Sequence, residues 1–167
     1  MAEKDTIFSS AMSYGGVFKF PEFYLFCYQW LTEELNLDLT EKAYKTTIKP
    51  NGKDVKIEWD AVRKVTDYFK FLFEIVFEIV AMSEVEVIEN GQKVKANKGK
   101  IKLKIKGVLI KDYEGKFEKD ALRKFLRGIY EKWVITSRVD EMETKLFGEC
   151  DEFLNQAKAY LALEGKR

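Results

Sequence analysis

The chain contains no histidine, and this absence removes several kinds of chemistry at once. Histidine is the commonest general base, a frequent zinc ligand and the central member of Ser-His and Cys-His nucleophilic arrangements. No glycine-rich phosphate-binding sequence of either standard spacing occurs. We therefore do not expect an enzyme, and we predict neither a cofactor nor a metal ion.

Cysteine is almost as scarce. Cys27 and Cys150 are too few and too far apart for a disulfide framework or a metal cluster. Both fall on the apolar stripes of predicted helices, where a thiol behaves as a small hydrophobe. There is no apolar run of about 18 residues and no signal peptide pattern. The expectation is a reduced, cytoplasmic protein.

The overall composition is that of a globular domain. The 167 residues are 46% hydrophobic and 34% charged, which suits a folded chain with a sizeable core. The net charge of +1 gives no global attraction to nucleic acid or to anionic membranes, so only a local patch could bind either. We predict one domain over residues 1–167, with residues 1–16 loosely ordered.

The stretch over about 66–113 carries the clearest pattern in the chain. From Phe69 onward every second residue is apolar or small, and charged residues occupy many intervening positions. Such alternation of aromatic and β-branched residues is typical of a strand. Asn90-Gly91 follows, a pair that favours a tight hairpin turn because both positions need a positive φ. A second alternating segment returns, so the sequence predicts one long antiparallel hairpin.

The register of this hairpin follows from its turn. A two-residue turn places Val87 opposite Val94, but the same register carried on would place Ile75 opposite Lys106. Directly opposed residues share a face, so one extra residue is required. We assign it to a glycine-marked β-bulge at 97–99, which bends the hairpin into an inner half and an overhanging tip. Beyond the bulge the predicted pairs are Ile79–Ile101, Phe77–Leu103, Ile75–Ile105, Phe73–Gly107, Leu72–Val108 and Phe71–Leu109, with Glu78 opposite Lys102 and Glu74 opposite Lys106.

Helical spacing of apolar residues appears in three segments, over about 21–35, 117–133 and 138–163. In the first of them, Tyr24 and Tyr28 widen the apolar arc, so this helix is buried on several sides or faces something apolar. A shorter hairpin with a turn at Asn51-Gly52 is predicted between this helix and the long hairpin.

Together these elements predict an α+β fold, in which an antiparallel β-meander of four or more strands carries the helices on its apolar face. The order of N-terminal helix, meander and long C-terminal helix resembles the helix-grip lipid-binding folds across most of the chain. This is a likeness of topology alone, and it assigns no family.

The first functional hypothesis concerns the bulky apolar face of the sheet. A long helix over a curved sheet can enclose a cavity for a lipid or another apolar small molecule. A closed aromatic core is the alternative interpretation of the same pattern, and the sequence leaves both open. The candidate ligand contacts are Tyr44, Trp59, Phe69, Phe71, Phe73 and Phe77.

The second hypothesis is an assembly module that uses the opposite face of the long hairpin. Solvated sheet faces normally carry polar residues, yet apolar residues occur here beside the charges. The cover could be the N-terminal segment, with Ile7, Phe8 and Met12, or a second copy of the chain; a homodimer is slightly favoured. The interface candidates are Leu72, Val76, Val80, Val108 and Ile110.

The third hypothesis is nucleic-acid binding by a basic strand. Of the three partners, an apolar ligand, a second copy of the chain and nucleic acid, the last is the least favoured. Phosphates could bind along the lysines, but glutamates on the neighbouring strand can neutralise much of this charge, and interleaved aromatics for base stacking are missing. Lysine also protects sheets from aggregation. The basic-patch candidates are Lys98, Lys100, Lys102, Lys104 and Lys106.

Overall fold

A computed structural model describes residues 3–112, 125, 126, 129 and 136–165. Its strands and helices follow one another in the order β1 (Glu3–Phe18), α1 (Phe20–Gln29), β2 (Asp38–Lys49), β3 (Gly52–Lys64), β4 (Phe69–Glu89), β5 (Gln92–Lys111) and α2 (Thr136–Gly165). A π-helical turn, Trp30–Glu34, continues α1. None of the helices in the described ranges combines the length and apolar composition needed to cross a bilayer.

The five strands form one antiparallel sheet in the order β1-β5-β4-β3-β2, which confirms the predicted α+β class. β2 to β5 are a meander, as the alternating segments predicted. The chain leaves β1 at one edge of the sheet, crosses through α1 and enters β2 at the other edge. This crossing places α1 over the sheet, where its apolar side can be buried.

The long hairpin of β4 and β5 has the predicted pairs on both sides of the register change. Near the turn Val87 lies opposite Val94, and farther along Phe77 lies opposite Leu103 and Leu72 opposite Val108. The tight turn at Asn90-Gly91 has positive φ at both residues, 51° and 77°. The assumption that apolar residues lie opposite apolar residues on each face therefore predicted the register correctly.

The extra residue of the register change lies in β4, so its assignment to residues 97–99 was wrong. Ser83 pairs with Lys98 and Val80 with Lys100, which leaves two residues of β4 facing Gly99 alone. The bulge residue Ala81 has a positive φ of 56°. Gly99 is the partner of the bulge, because a Cβ there would lie 3.0 Å from the Val80 carbonyl oxygen.

A side chain of the next strand satisfies the bulge. The backbone N–H of Ala81 donates a hydrogen bond of 3.1 Å to Asp54 Oδ1, and Lys49 forms an ion pair of 2.5 Å with Asp54 Oδ2. Both contacts hold the pKa of the Asp54 carboxyl below its usual value. The β3–β4 register shifts at the same level, between Lys53 and Val55, so the irregularity crosses more than one strand pair.

The N-terminal segment corrects the sequence analysis most strongly. Residues 1–16 were expected to be loosely ordered, but Glu3–Phe18 forms a complete edge strand along β5. Its apolar residues Phe8, Met12 and Phe18 point to the helices and are at most 6% exposed. They therefore do not cover the opposite face of the sheet. The N-terminal segment was one of the two covers that the sequence analysis proposed for that face.

A smaller correction concerns the first hairpin. Lys49 pairs with Gly52, so the two-residue turn is Pro50-Asn51 and not Asn51-Gly52. Gly52 has a φ of 132°, and a Cβ on it would lie 2.8 Å from the Met82 carbonyl oxygen. The glycine is needed for this close approach to β4.

The helices follow their predicted bounds where the structure describes them. The first prediction, 21–35, corresponds to α1 with its π-helical turn, and the third, 138–163, corresponds to α2. The predicted helix over 117–133 lies largely outside the described residues. Within this range Phe125, Leu126 and Ile129 are described, and they are helical.

One hydrophobic core lies between α1, α2 and the sheet face that carries Trp59, Phe73 and Phe77, which we call the inner face. Two contacts fix α2 on this face. Gly107 of β5 leaves space for Cys150, whose Sγ would lie 2.5 Å from any Cβ at position 107. Arg63 of β3 binds Glu149 through two hydrogen bonds of 2.9 Å and also donates to the Leu35 carbonyl, which joins sheet, α2 and the π-helical turn.

Candidate functional site

The aromatic residues predicted as ligand contacts form the centre of the inner face. The Phe23 ring of α1 meets the Phe77 ring edge-on, with centroids 6.1 Å apart, and Trp59 meets the same ring at 4.8 Å. These rings pack against one another and against the helices. Five of the six candidates are at most 1% exposed for this reason, namely Trp59, Phe69, Phe71, Phe73 and Phe77.

The sixth candidate, Tyr44, lies apart from them on the edge strand β2 and is 49% exposed. It forms one wall of a largely apolar cleft between β2 and α1, with a volume of about 430 Å³. We call this feature the aromatic cleft; it is lined by Phe20, Pro21, Tyr24, Leu25 and Tyr44.

Three rings of the aromatic cleft support one another. The Tyr24 ring lies 6.1 Å from the Phe20 ring and 6.4 Å from the Tyr44 ring, measured between centroids. Behind them Trp59 meets Tyr24 at 5.1 Å. Such tilted and edge-on contacts are favourable arrangements of aromatic side chains, so the walls of the cleft are preorganised.

A carboxylate lies beside the cleft. Glu41 Oε1 accepts hydrogen bonds from Tyr24 Oη at 2.7 Å and from Trp59 Nε1 at 3.1 Å. Burial, together with Glu41, raises the pKa of Tyr24 to about 12, and the same two causes raise the pKa of Tyr44. Tyr24 is thus a neutral hydrogen-bond donor at physiological pH.

Sequence reasoning missed Phe20, Pro21, Leu25 and Glu41 as members of a site. Tyr24 and Tyr28 did carry a signal, because they extend the apolar arc of α1 beyond what one buried face requires. The partner of that extra arc is β2, the far edge of the sheet. Nothing in the local sequence of α1 identifies it.

The outer face is the side of the sheet opposite the helices. Three of its interface candidates are already 6–9% exposed within this chain, and they form a small cluster with Val62. The three are Leu72, Val108 and Ile110. Val76 is half-buried, and Val80 is 49% exposed. A second copy on this face stays a proposal, for which Val80 offers the largest exposed fraction among these five.

The five lysines of the basic patch all project from the outer face of β5. Lys104 forms an ion pair of 2.9 Å with Glu78, which holds the pKa of Glu78 below its usual value. Farther toward the bulge, Lys98 and Lys100 lie between uncharged neighbours on both adjacent strands. Neutralisation by cross-strand glutamates therefore applies to one end of the row and not to the other.

Two adjoining hollows of about 470 and 520 Å³ lie beside these lysines, at the level of the bulge. Both are lined by Gly15, Val80 and Lys100. The small residues of β1 lower the surface here, and the lysines form its rim. The result is a shallow basic depression on the outer face.

The two cysteines are both buried and unpaired. Burial raises the pKa of each thiol, so neither is poised as a nucleophile. Across residues 3–112 and 136–165, no three acidic or cysteine side chains converge in a way that could hold a metal ion.

Comparisons with protein-family models, with curated proteins and with solved structures gave no significant match.

Proposed function

We propose that this protein is a non-enzymatic, cytoplasmic binding domain for an apolar small molecule, and that the aromatic cleft is its binding site. The observation that carries the proposal is the cleft itself, an apolar hollow of about 430 Å³ between α1 and β2. Small-molecule sites typically occupy about 300–1,000 Å³ and combine apolar walls with a few polar groups.

The cleft is a better site than the space between sheet and C-terminal helix. The side chains in that space, such as Phe73 and Phe77, are at most 1% exposed and contact one another and the helices. The walls of the cleft are open to ligand, since Leu25 is 51% and Tyr44 49% exposed. Burial of such side chains by a ligand is favourable at roughly 25 cal/mol per Å² of apolar surface.

The proposal is tested by calorimetric titration of 1-hexanol into wild-type protein and two matched variants. Tyr44→Ser removes a wall of the cleft, whereas Ile48→Ser removes an 87% exposed side chain from the same strand outside the cleft. Tyr44→Ser should weaken binding about fivefold, because the loss of about 40 Å² of apolar contact at roughly 25 cal/mol per Å² costs about 1 kcal/mol. Ile48→Ser should bind as the wild type does. Equal binding by both variants would overturn the proposal.

A second candidate function is the binding of a nucleic-acid backbone on the outer face. The observation in its favour is that Lys98 and Lys100 have no acidic cross-strand neighbour, beside hollows that small residues keep open. Lysines in such a row would release the counterions condensed on the phosphates, so affinity would fall steeply with salt.

Fluorescence anisotropy with a labelled single-stranded oligonucleotide at two salt concentrations tests this second function. Substitution of Lys98, Lys100 and Lys102 by Gln should abolish a salt-dependent signal. A control with the same loss of charge replaces three exposed lysines elsewhere, Lys45, Lys145 and Lys158, and should bind normally. No binding by the wild type at low salt would exclude the function.

A further inference from the structure

The aromatic cleft has three ring walls, and the carboxylate of Glu41 is hydrogen-bonded to one of them, the Tyr24 phenol; this combination indicates what kind of ligand the cleft accepts. Resting on the proposed function, we infer that the ligand carries an alkylated ammonium group, which Glu41 and the rings of Tyr24 and Tyr44 recognise. The apolar remainder of the ligand then occupies the space against Leu25, Pro21 and Phe20.

The backbone of β2 is built to bring these groups together. Glu41 pairs with Trp59, and Tyr44 pairs with Ile57. Glu41 and Tyr44 are three positions apart in β2, whereas their partners are two positions apart in β3. The extra residue lies between Glu41 and Ala43. Without this bulge Glu41 and Tyr44 would project from opposite faces of the strand, because side chains alternate. The bulge places the carboxylate and the phenol on the same face.

The carboxylate keeps its charge available to a ligand. Oε1 accepts both hydrogen bonds, from Tyr24 and Trp59, and within the described part of the chain no hydrogen bond to Oε2 is found. The neighbouring Lys42 pairs instead with Asp60, at 3.4 Å. Glu41 acts on both phenols of the cleft, since it contributes to the raised pKa of Tyr24 and of Tyr44.

The first turn of α1 also borders the cleft, and the dipole of a helix start is positive. Glu22 in that turn offsets this partial charge. Lys19, which precedes the helix, is paired with Glu89 at 2.7 Å. Glu41, which is hydrogen-bonded to Tyr24, therefore contributes negative charge on the tyrosine side of the cleft.

These groups favour one ligand chemistry over its neighbours. Aromatic faces attract cations, and an alkylated ammonium is cheaper to desolvate against apolar walls than a primary one. A carboxylate ligand of the same length meets the like charge of Glu41 and is disfavoured. Glu41 is exposed, so the preference for the cation should weaken as salt is added.

The test compares three ligands with the same six-carbon chain by calorimetric titration, namely hexyltrimethylammonium, 1-hexanol and hexanoate. Wild-type protein should bind hexyltrimethylammonium at least about fivefold more tightly than 1-hexanol, the equivalent of a cation–π contact of about 1 kcal/mol, and hexanoate most weakly. Glu41→Gln retains the hydrogen-bond acceptor and removes the charge, so it should bring hexanoate and hexyltrimethylammonium closer in affinity, while the aromatic rings keep part of the preference for the cation. Glu33→Gln, the same change at an exposed position of the π-helical turn, should leave the ranking unchanged.

The outcomes separate this inference from the function on which it rests. If 1-hexanol and hexyltrimethylammonium bind equally and Glu41→Gln alters neither, the cleft is an apolar site and the inference is wrong. Tightest binding of hexanoate would overturn it as well. If none of the three ligands binds, the proposed function itself fails.

Discussion

Replacement of Gly107 by alanine gives the sharpest prediction about stability. General rules predict that the free energy of unfolding rises, whereas this structure predicts that it falls. Replacing a strand glycine by alanine normally stabilises a protein, by restricting the unfolded chain and adding strand propensity. Here the new Cβ would lie 2.5 Å from Cys150 Sγ and 3.4 Å from Leu146 Cδ1. Ordinary contacts of this kind measure about 3.5–4.0 Å, so the overlap with sulfur is about 1 Å.

The surroundings of Gly107 cannot relieve this overlap easily. β5 is hydrogen-bonded to a strand on each side, and Cys150 and Leu146 are fully buried on α2. Overpacking in such a place costs about 1–3 kcal/mol, and we expect the upper end for Gly107→Ala. The melting temperature should fall by roughly 6–12 °C, at about 2–4 °C per kcal/mol for a chain of this size.

Urea unfolding of a double-mutant cycle measures the effect. Cys150→Ala alone should cost about 1 kcal/mol for the lost sulfur, and Gly107→Ala with Cys150→Ala should be no worse, since the new methyl group occupies the vacated space. Gly148→Ala is the matched control on the exposed side of α2, where a Cβ meets nothing within 4 Å and should stabilise by about 0.5–1 kcal/mol. Equal losses for the single Gly107 variant and the double variant would refute the reasoning.

Three further predictions concern features of the sheet and the cleft. Ala81→Gly should leave the free energy of unfolding unchanged or raise it by up to about 1 kcal/mol, because alanine is strained at positive φ; a clear loss in urea unfolding would contradict the bulge. Arg63→Gln should cost up to about 3 kcal/mol by isolating Glu149, and Glu149→Gln in the same chain should recover part of it; a change below about 0.5 kcal/mol would show that the pair does not hold α2. The pKa of Tyr24 is raised in the folded state, so its contribution is complete below about pH 10 and is lost as the pH rises toward 12. Urea unfolding across that range should show a larger fall in wild type than in Tyr24→Phe, which retains only the smaller contribution of Tyr44.

The long hairpin shows how far sequence alone can go. Its turn, its two registers and the need for one extra residue all followed from opposing like with like. The strand that holds the extra residue did not follow. Glycine was taken as the sign of the bulge, whereas Gly99 is the partner that must make room and Ala81 bears the strained backbone.

Features that depend on distant partners were beyond local reasoning. β1 has a weak alternation, broken by Ser10 and Gly16, and its strand state depends on β5 about a hundred residues later. Nothing in the local sequence distinguishes Glu41 from other surface carboxylates. Its role depends on α1, which brings Tyr24 within hydrogen-bond distance of it. The aromatic residues of the inner face were identified correctly as bulky and apolar, but whether helices would seal them is a property of three-dimensional assembly.

The connection of β1 to the opposite edge of the sheet has a consequence for how the chain acquires its structure. The pairs between β1 and β5 join residues 79 to 108 positions apart, from Phe18 with Asn97 to Glu3 with Lys111. A chain emerging from the ribosome has therefore synthesised β1 long before β5, its hydrogen-bonding neighbour in the described sheet, exists. The hairpins of β2 to β5, which close over short turns, can form in the meantime.

Closing such long loops costs little more than closing shorter ones, at about 0.6 kcal/mol for each doubling of length, but it delays folding. Until β5 and α2 have been made, the apolar side of β1, with Phe8 and Met12, lacks these two neighbours. β1 is thus the first strand to be made but can dock only after β5, the last strand of the described sheet, and in that interval its apolar side is open to aggregation.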